Sequence, residues 1–179
     1  MIIQIIGIGR LGSQLAFCCL LLLKTDVLAL HDIKDLAGDL MDLEHAKEGY
    51  NHVHKEPCKT EIKKGIIPAD FIIVTAGQPR RDDITDDQLL EINKKILEDI
   101  FKKMKTNLET HIIIATNPVK ELTEWAQKTY PKHIIHNAED HILKYRKGVD
   151  LGPEIRKIKG YTNFGPAISI IEKIQELSK

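Results

Sequence analysis

The stretch Ile2–Leu23, IIQIIGIGRLGSQLAFCCLLLL, decides the fold. Its first five residues are mostly apolar and β-branched, and the run from Leu15 to Leu23 is too uniformly apolar to be anything but buried. Between them, Gly7, Gly9 and Gly12 punctuate the chain, so the reading is strand, tight turn, helix. In such a G-x-G-x-x-G turn the first glycine permits the bend and the second lets backbone amides approach a diphosphate. The third lets helix pack on strand, while the helix N-terminus supplies partial positive charge. The pattern alone is weak, but Val27 to Leu30 reads as a second strand. Asp32 follows it, twenty residues past Gly12, where an acid can accept hydrogen bonds from ribose hydroxyls and repel a 2′-phosphate. The constellation predicts a dinucleotide site that takes NAD rather than NADP. The competing reading is a glycine turn in an unrelated α/β protein.

Working outward, Leu36, Leu40, Leu43 and Ala46 recur at helical spacing, and a weak strand candidate lies near His52 to Lys55. Phe71 to Thr75 is apolar on both faces, as a central parallel strand should be. A long helix is expected from about Leu89 to Met104, a strand at His111 to Ala115, a helix from Val119 to Lys128 and a short strand at Ile134 and Ile135. Strands alternating with helices specify a doubly wound parallel α/β sheet with right-handed crossovers, expected here in the order 3-2-1-4-5-6. Residues 1–146 are read as the dinucleotide-binding domain. Residues 147–179 are read as a Gly/Pro-containing linker and an appended C-terminal helix from about Pro166 to Leu177.

The totals bound the function. At 179 residues the chain can bury roughly 70% of its unfolded surface without staples. Its 26 basic residues against 26 acidic ones give no broad positive field for nucleic acid or an anionic membrane. Cys18, Cys19 and Cys58 are an odd number without C-x-x-C spacing, which argues against a disulfide framework or a thiolate metal site and suits a reducing cytoplasm. The apolar run to Leu23 is about half a bilayer span, so it is read as a core helix.

Three further segments carry a specific resemblance: Asp32 through Gly38 to Asp42, Leu43 and His45; VTAGQPR from Val74 to Arg80, with LLEIN ending at Asn93; and ATNPV from Ala115 to Val119. Together with the glycine turn, and in this order, they resemble the NAD-dependent malate and lactate dehydrogenases over about residues 1–135. The resemblance returns at KGYTNFGPA, Lys159 to Ala167. It implies cofactor contacts at Gly7, Ile8, Gly9, Arg10, Leu11 and Gly12, at Asp32, at Thr75, Ala76 and Gly77, at Asn93, and at Ala115, Thr116 and Asn117. Asn117 also matches the family's substrate-orienting asparagine. Arg80 matches the arginine that malate-type members use for a dicarboxylic acid's distal carboxylate, for which a planar fork is suited; a solvated loop arginine is the competing reading. Thr162 resembles a pocket-lining residue, or else is a helix N-cap.

The sequence then departs from the family. Where the mobile loop carries the arginine that polarises the reacting carbonyl, six residues past Arg80, this chain has Asp86. None of the eight histidines lies in the family's G-x-H-G context, and the D-x-x-R pair is missing too. Arg146 is either an echo of that arginine or a charged helix end. A positioned acid or base is worth about 3 to 5 kcal/mol of barrier, and the loop arginine a comparable amount. The expectation is therefore an NAD-binding relative without the family's turnover, acting as sensor, partner or cofactor-binding module and forming a homodimer. The alternatives are an oxidoreductase acting on a 2-hydroxy or 2-oxo acid such as malate or oxaloacetate, using His136, His141 or a residue across a subunit interface, and a structural subunit of a full-length homologue.

Overall fold

The computed structural model describes residues 1–81, 83–139, 149 and 151–179. Strands β1 (Ile2–Ile6), β2 (Val27–His31), β3 (Glu61–Lys64), β4 (Phe71–Val74), β5 (His111–Ile114) and β6 (Ile134–Asn137) form one sheet. All its pairings are parallel and its order is β3-β2-β1-β4-β5-β6, as the alternation of elements requires. The helices are α1 (Arg10–Leu22), α2 (Ala37–Val53), α3 (Asp86–Lys103), α4 (Val119–Thr129), α5 (Gly152–Lys159) and α6 (Phe164–Leu177).

Central strands buried on both faces supply side chains to two cores. Ile3, Ile5, Phe71, Ile73 and Ile113 join Leu15, Ala16, Cys19 and Leu20 of α1 on one side. On the other, Ile72, Val74, Ile112 and Ile114 meet Leu97 and Phe101 of α3 and Leu122 and Ala126 of α4. Helix α6 lies along α1, and its Ala167, Ile170, Ile171 and Ile174 belong to the first core. Ser169 adds a hydrogen bond from its Oγ to the Ala138 carbonyl at 3.0 Å. The C-terminal helix is thus an integral cover of the sheet face rather than a pendant segment.

Two expectations are corrected. Residues 51–53 close α2, with His54 as its C-cap, and the third strand falls later, at Glu61–Lys64. That strand is at the sheet edge, where Lys and Glu are tolerated and discourage further pairing, so it lacks the apolar signature used to find strands. Residues 152–159 form α5, within what was read as linker. Pro153 stands in its first turn and Gly160 closes it in the left-handed region at φ 87°, a proline start and glycine stop. This helix presents little apolar face and so gives no periodic signal; Ile158 is 80% exposed. Long α3 is fixed at its start by a reciprocal capping box. Thr85 Oγ1 accepts from the Gln88 amide at 3.3 Å and Gln88 Oε1 accepts from the Thr85 amide at 3.0 Å.

Candidate dinucleotide site

The carboxyl ends of β1, β2, β4 and β5 converge at the edge where strand order reverses about β1, the position at which open parallel sheets bind ligands. Gly7 ends β1 with φ 99°, and a Cβ there would come within 2.2 Å of the Ala76 nitrogen. Gly12, on the first turn of α1, approaches the Gly7 carbonyl so closely that a Cβ would lie 1.9 Å from its oxygen. Gly9 differs, because a Cβ there would meet nothing within 4 Å. It caps α1 without a side-chain acceptor, and the first turn carries no acid. The helix start therefore keeps its amides and positive end for an external anion.

Asp32 follows β2 and faces this turn. Its Oδ2 accepts from the Ile8 amide at 2.5 Å and its Oδ1 from the Lys34 amide at 3.1 Å. Those two bonds fix the carboxylate while leaving lone pairs for hydroxyl donors.

Several residues that the resemblance places at cofactor contacts also make hydrogen bonds that brace the site. Thr75 Oγ1 donates to the Gly7 carbonyl, and Thr116 Oγ1 to the Ala76 carbonyl at 2.7 Å. Asn93 is fully buried. Its Oδ1 accepts from the Gln78 amide at 2.7 Å, and its Nδ2 donates to the carbonyls of Gln78 and Asn117 at 3.3 and 2.6 Å. One side chain on α3 thereby holds the loop after β4 to the loop after β5. Gly77 and Asn117 are left exposed at the rim, while Ala115 is buried below them. The positioning role of Asn93 has no local sequence signal, because its partners are backbone atoms 15 and 24 residues away.

The substrate side is organised differently. Arg80 Nη1 is ion-paired with Asp86 Oδ1, and Arg81 grips Asp83 through Nε and Nη2 at 3.0 and 2.9 Å. Thr162 does not cap α6; Asn163 occupies that position. His136 is half-buried on β6, its ring stacked on that of His111 with Nε2 2.9 Å from His111 Nδ1. Since His111 begins β5, this contact draws the ring away from the carboxyl edge. His45 is exposed on α2. His141, Arg146 and the boundary between residues 146 and 147 lie outside the described residues. Among the described residues no helix is long and apolar enough to cross a membrane.

The family model for the lactate/malate dehydrogenase NAD-binding domain matches residues 1–136. This chain belongs to that family. It is 38% identical over 135 residues to malate dehydrogenase of Archaeoglobus fulgidus, covering 72% of this chain and 45% of that one. It is 31% identical over 173 residues to L-lactate dehydrogenase 1 of Bacillus cereus, covering 92% and 51%. The solved malate dehydrogenase of A. fulgidus in complex with NADH superposes with a TM-score of 0.78 at 29% identity, covering 98% of this chain and 76% of that one. Malate dehydrogenase of Salinibacter ruber shares the fold, with a TM-score of 0.75 at 16% identity over 98% of this chain and 75% of that one. The chain spans about half the length of the curated relatives it matches. It carries the family's NAD-binding domain, and NAD is the cofactor. The residues present fit that group: the space beside the Gly9 Cα is open, the start of α1 has no side-chain cap or acid to occupy its amides, and Asp32 is held against the Ile8 amide of the same turn.

Proposed function

We propose that this chain binds NAD(H) in preference to the 2′-phosphorylated cofactor and does not turn over 2-hydroxy or 2-oxo acids at a dehydrogenase rate. Its role is then that of a cofactor-binding sensor or partner. When bound, NAD supplies a hydride-accepting ring. This chain's own residues bind and orient it, with the α1 start for the diphosphate and the Asp32 carboxylate for the ribose hydroxyls. The observation that carries the reading is the ion pair between Arg80 and Asp86. It neutralises the arginine suited to a dicarboxylate with the acid that stands in place of the carbonyl-polarising arginine. The test is fluorescence titration with NADH and NADPH, followed by NADH oxidation over a panel of 2-oxo acids including oxaloacetate. Tight NADH binding with no turnover supports the proposal. Turnover of tens per second, an ordinary enzymatic rate, or tighter NADPH binding overturns it.

A second reading, a homodimer, is favoured by one observation. Helix α2 leaves Met41 62% and Val53 73% exposed, and Leu40, Met41 and His45 line a shallow groove against Ile62 of β3. Light scattering after size exclusion tests it, and a strict monomer at tens of micromolar removes it.

A further inference from the structure

The C-terminal segment does more than cover the sheet. Tyr161, in the turn between α5 and α6, lies under the guanidinium of Arg10, whose central carbon is 4.3 Å from the ring centroid. Arg10 is the first residue of α1, inside the glycine turn. The ammonium of Lys159 is 4.5 Å from the same centroid and 4.0 Å from that of Phe164, and it donates to Asn163 Oδ1 at 2.8 Å. Two cations therefore share one aromatic ring beside the positive end of a helix. Among the described residues neither cation is paired with a carboxylate.

Such a cluster is electrostatically incomplete. Like charges held this close repel, and the positive end of α1 adds to the repulsion. A cation over a ring recovers only about 0.5 to 1 kcal/mol at an exposed site. The carbonyl end of α5 accounts for a lysine at position 159, since cations belong near helix C-termini. It does not account for Arg10 at the opposite kind of terminus, where an acid would be favoured. An anion brought to the glycine turn satisfies both cations together.

We propose that Lys159 and Tyr161 belong to the dinucleotide site. Tyr161 is a positioning residue that holds the Arg10 guanidinium beside the glycine turn, and Lys159 supplies a second cation from the C-terminal segment. The diphosphate of a bound dinucleotide is then held from both ends of the chain, and its binding is linked to the docking of α6. The inference rests on NAD binding at the glycine turn and adds to it the residues that recognise the diphosphate.

The experiment uses the full chain and titrates NADH, ADP-ribose and adenosine into wild type, Lys159→Gln, Tyr161→Leu and Tyr161→Phe at two salt concentrations. Lys159→Gln and Tyr161→Leu should weaken NADH and ADP-ribose alike, by about three- to tenfold. Adenosine, which lacks phosphates, should bind unchanged. Tyr161→Phe, which keeps the ring face, should stay within about twofold of wild type. The salt dependence of ADP-ribose binding should be shallower in Lys159→Gln. Melting temperatures without ligand guard against misfolding, and Lys159→Gln, which keeps a side-chain amide donor for Asn163, should lower them only slightly. If NADH binds wild type tightly and both disruptive variants equal it, the inference fails while NAD binding stands. If wild type binds no NADH, the underlying reading fails first.

Discussion

The guanidinium of Arg80 is ion-paired with the carboxylate of Asp86, across the loop that leads from β4 into α3. Both groups are substantially exposed, at 47% and 71%, so the pair adds little stability. Its consequence is chemical, because it engages one arm of the guanidinium and sets a negative charge where a substrate carboxylate would approach. In Asp86→Ala the melting temperature should barely move, corresponding to less than about 0.5 kcal/mol. The NADH-loaded protein should then gain affinity for malonate, a dicarboxylate that cannot be reduced, by about three- to tenfold, since a repulsive acid is gone and a fork is freed. Calorimetric titration checks this. Unchanged malonate affinity would show that Arg80 does not face the substrate side.

The glycines of the turn separate folding from binding. In Gly12→Ala the new methyl meets the Gly7 carbonyl, and the close approach of α1 to β1 cannot survive. A stability loss of about 2 kcal/mol or more is expected, together with loss of NADH binding. Gly9→Ala places its methyl in open space and should fold with a melting temperature near wild type. That methyl fills this space, so NADH should bind at least about tenfold more weakly, a cost of about 1.4 kcal/mol. Denaturation curves and fluorescence titration of the two variants check the contrast. Normal NADH binding by Gly9→Ala would move the diphosphate elsewhere.

What the sequence made legible follows from how local each signal is. The turn Gly7 to Gly12, Asp32, and the apolar strands at Phe71 and His111 are short-range patterns with one physical meaning, and they determined the sheet order. Edge strand β3 carries no apolar pattern because an edge needs none, and α5 gives little signal because it buries little. At the site, the residue types were readable but their partners were not. Arg80 is ion-paired with Asp86, and the Asn93 side chain binds one backbone donor and two backbone acceptors on two loops, partners that no local pattern discloses. Contacts across many residues, such as Tyr161 on Arg10, leave no trace in periodicity.

Asn93 permits a direct measure of this internal bracing. Replacing it by Ala leaves the Gln78 amide without its side-chain acceptor and the Gln78 and Asn117 carbonyls without their side-chain donor at a fully buried position. Unsatisfied buried groups cost about 1 to 3 kcal/mol each, and partial access of water to the loops reduces the total. A loss of about 2 to 4 kcal/mol in urea denaturation is expected. Hydrogen exchange should accelerate at Gly77 and Gln78 while β1 stays protected. Equal loosening of β1 would mean that Asn93 supports the whole sheet and not the two loops.

Alkaline pH probes the interface between α1 and α6. Burial of Cys19 among Leu15, Ala16 and the isoleucines of α6 pushes its thiol far above the ordinary value of 9.0, and the neighbouring Cys18 adds a smaller push in the same direction. The folded chain therefore keeps this thiol neutral while the unfolded chain ionises it. For an acidic group raised on folding, the contribution to stability is fully present below the unfolded pKa and is lost as pH rises past it. As pH rises past about 9.0 that loss should steepen toward a limit of about 1.4 kcal/mol per pH unit from this group alone. Cys19→Ala removes the thiol at a modest packing cost near neutral pH, and its stability should fall less steeply than that of wild type between about pH 9 and 10. Urea denaturation of both proteins across this range reads the difference in slope. In the same samples the half-buried Cys58 should react first with a thiol reagent, and Cys18 and Cys19 only as the chain unfolds. Parallel slopes, or Cys19 modified while the fold persists, would mean that α6 does not seal α1 in solution.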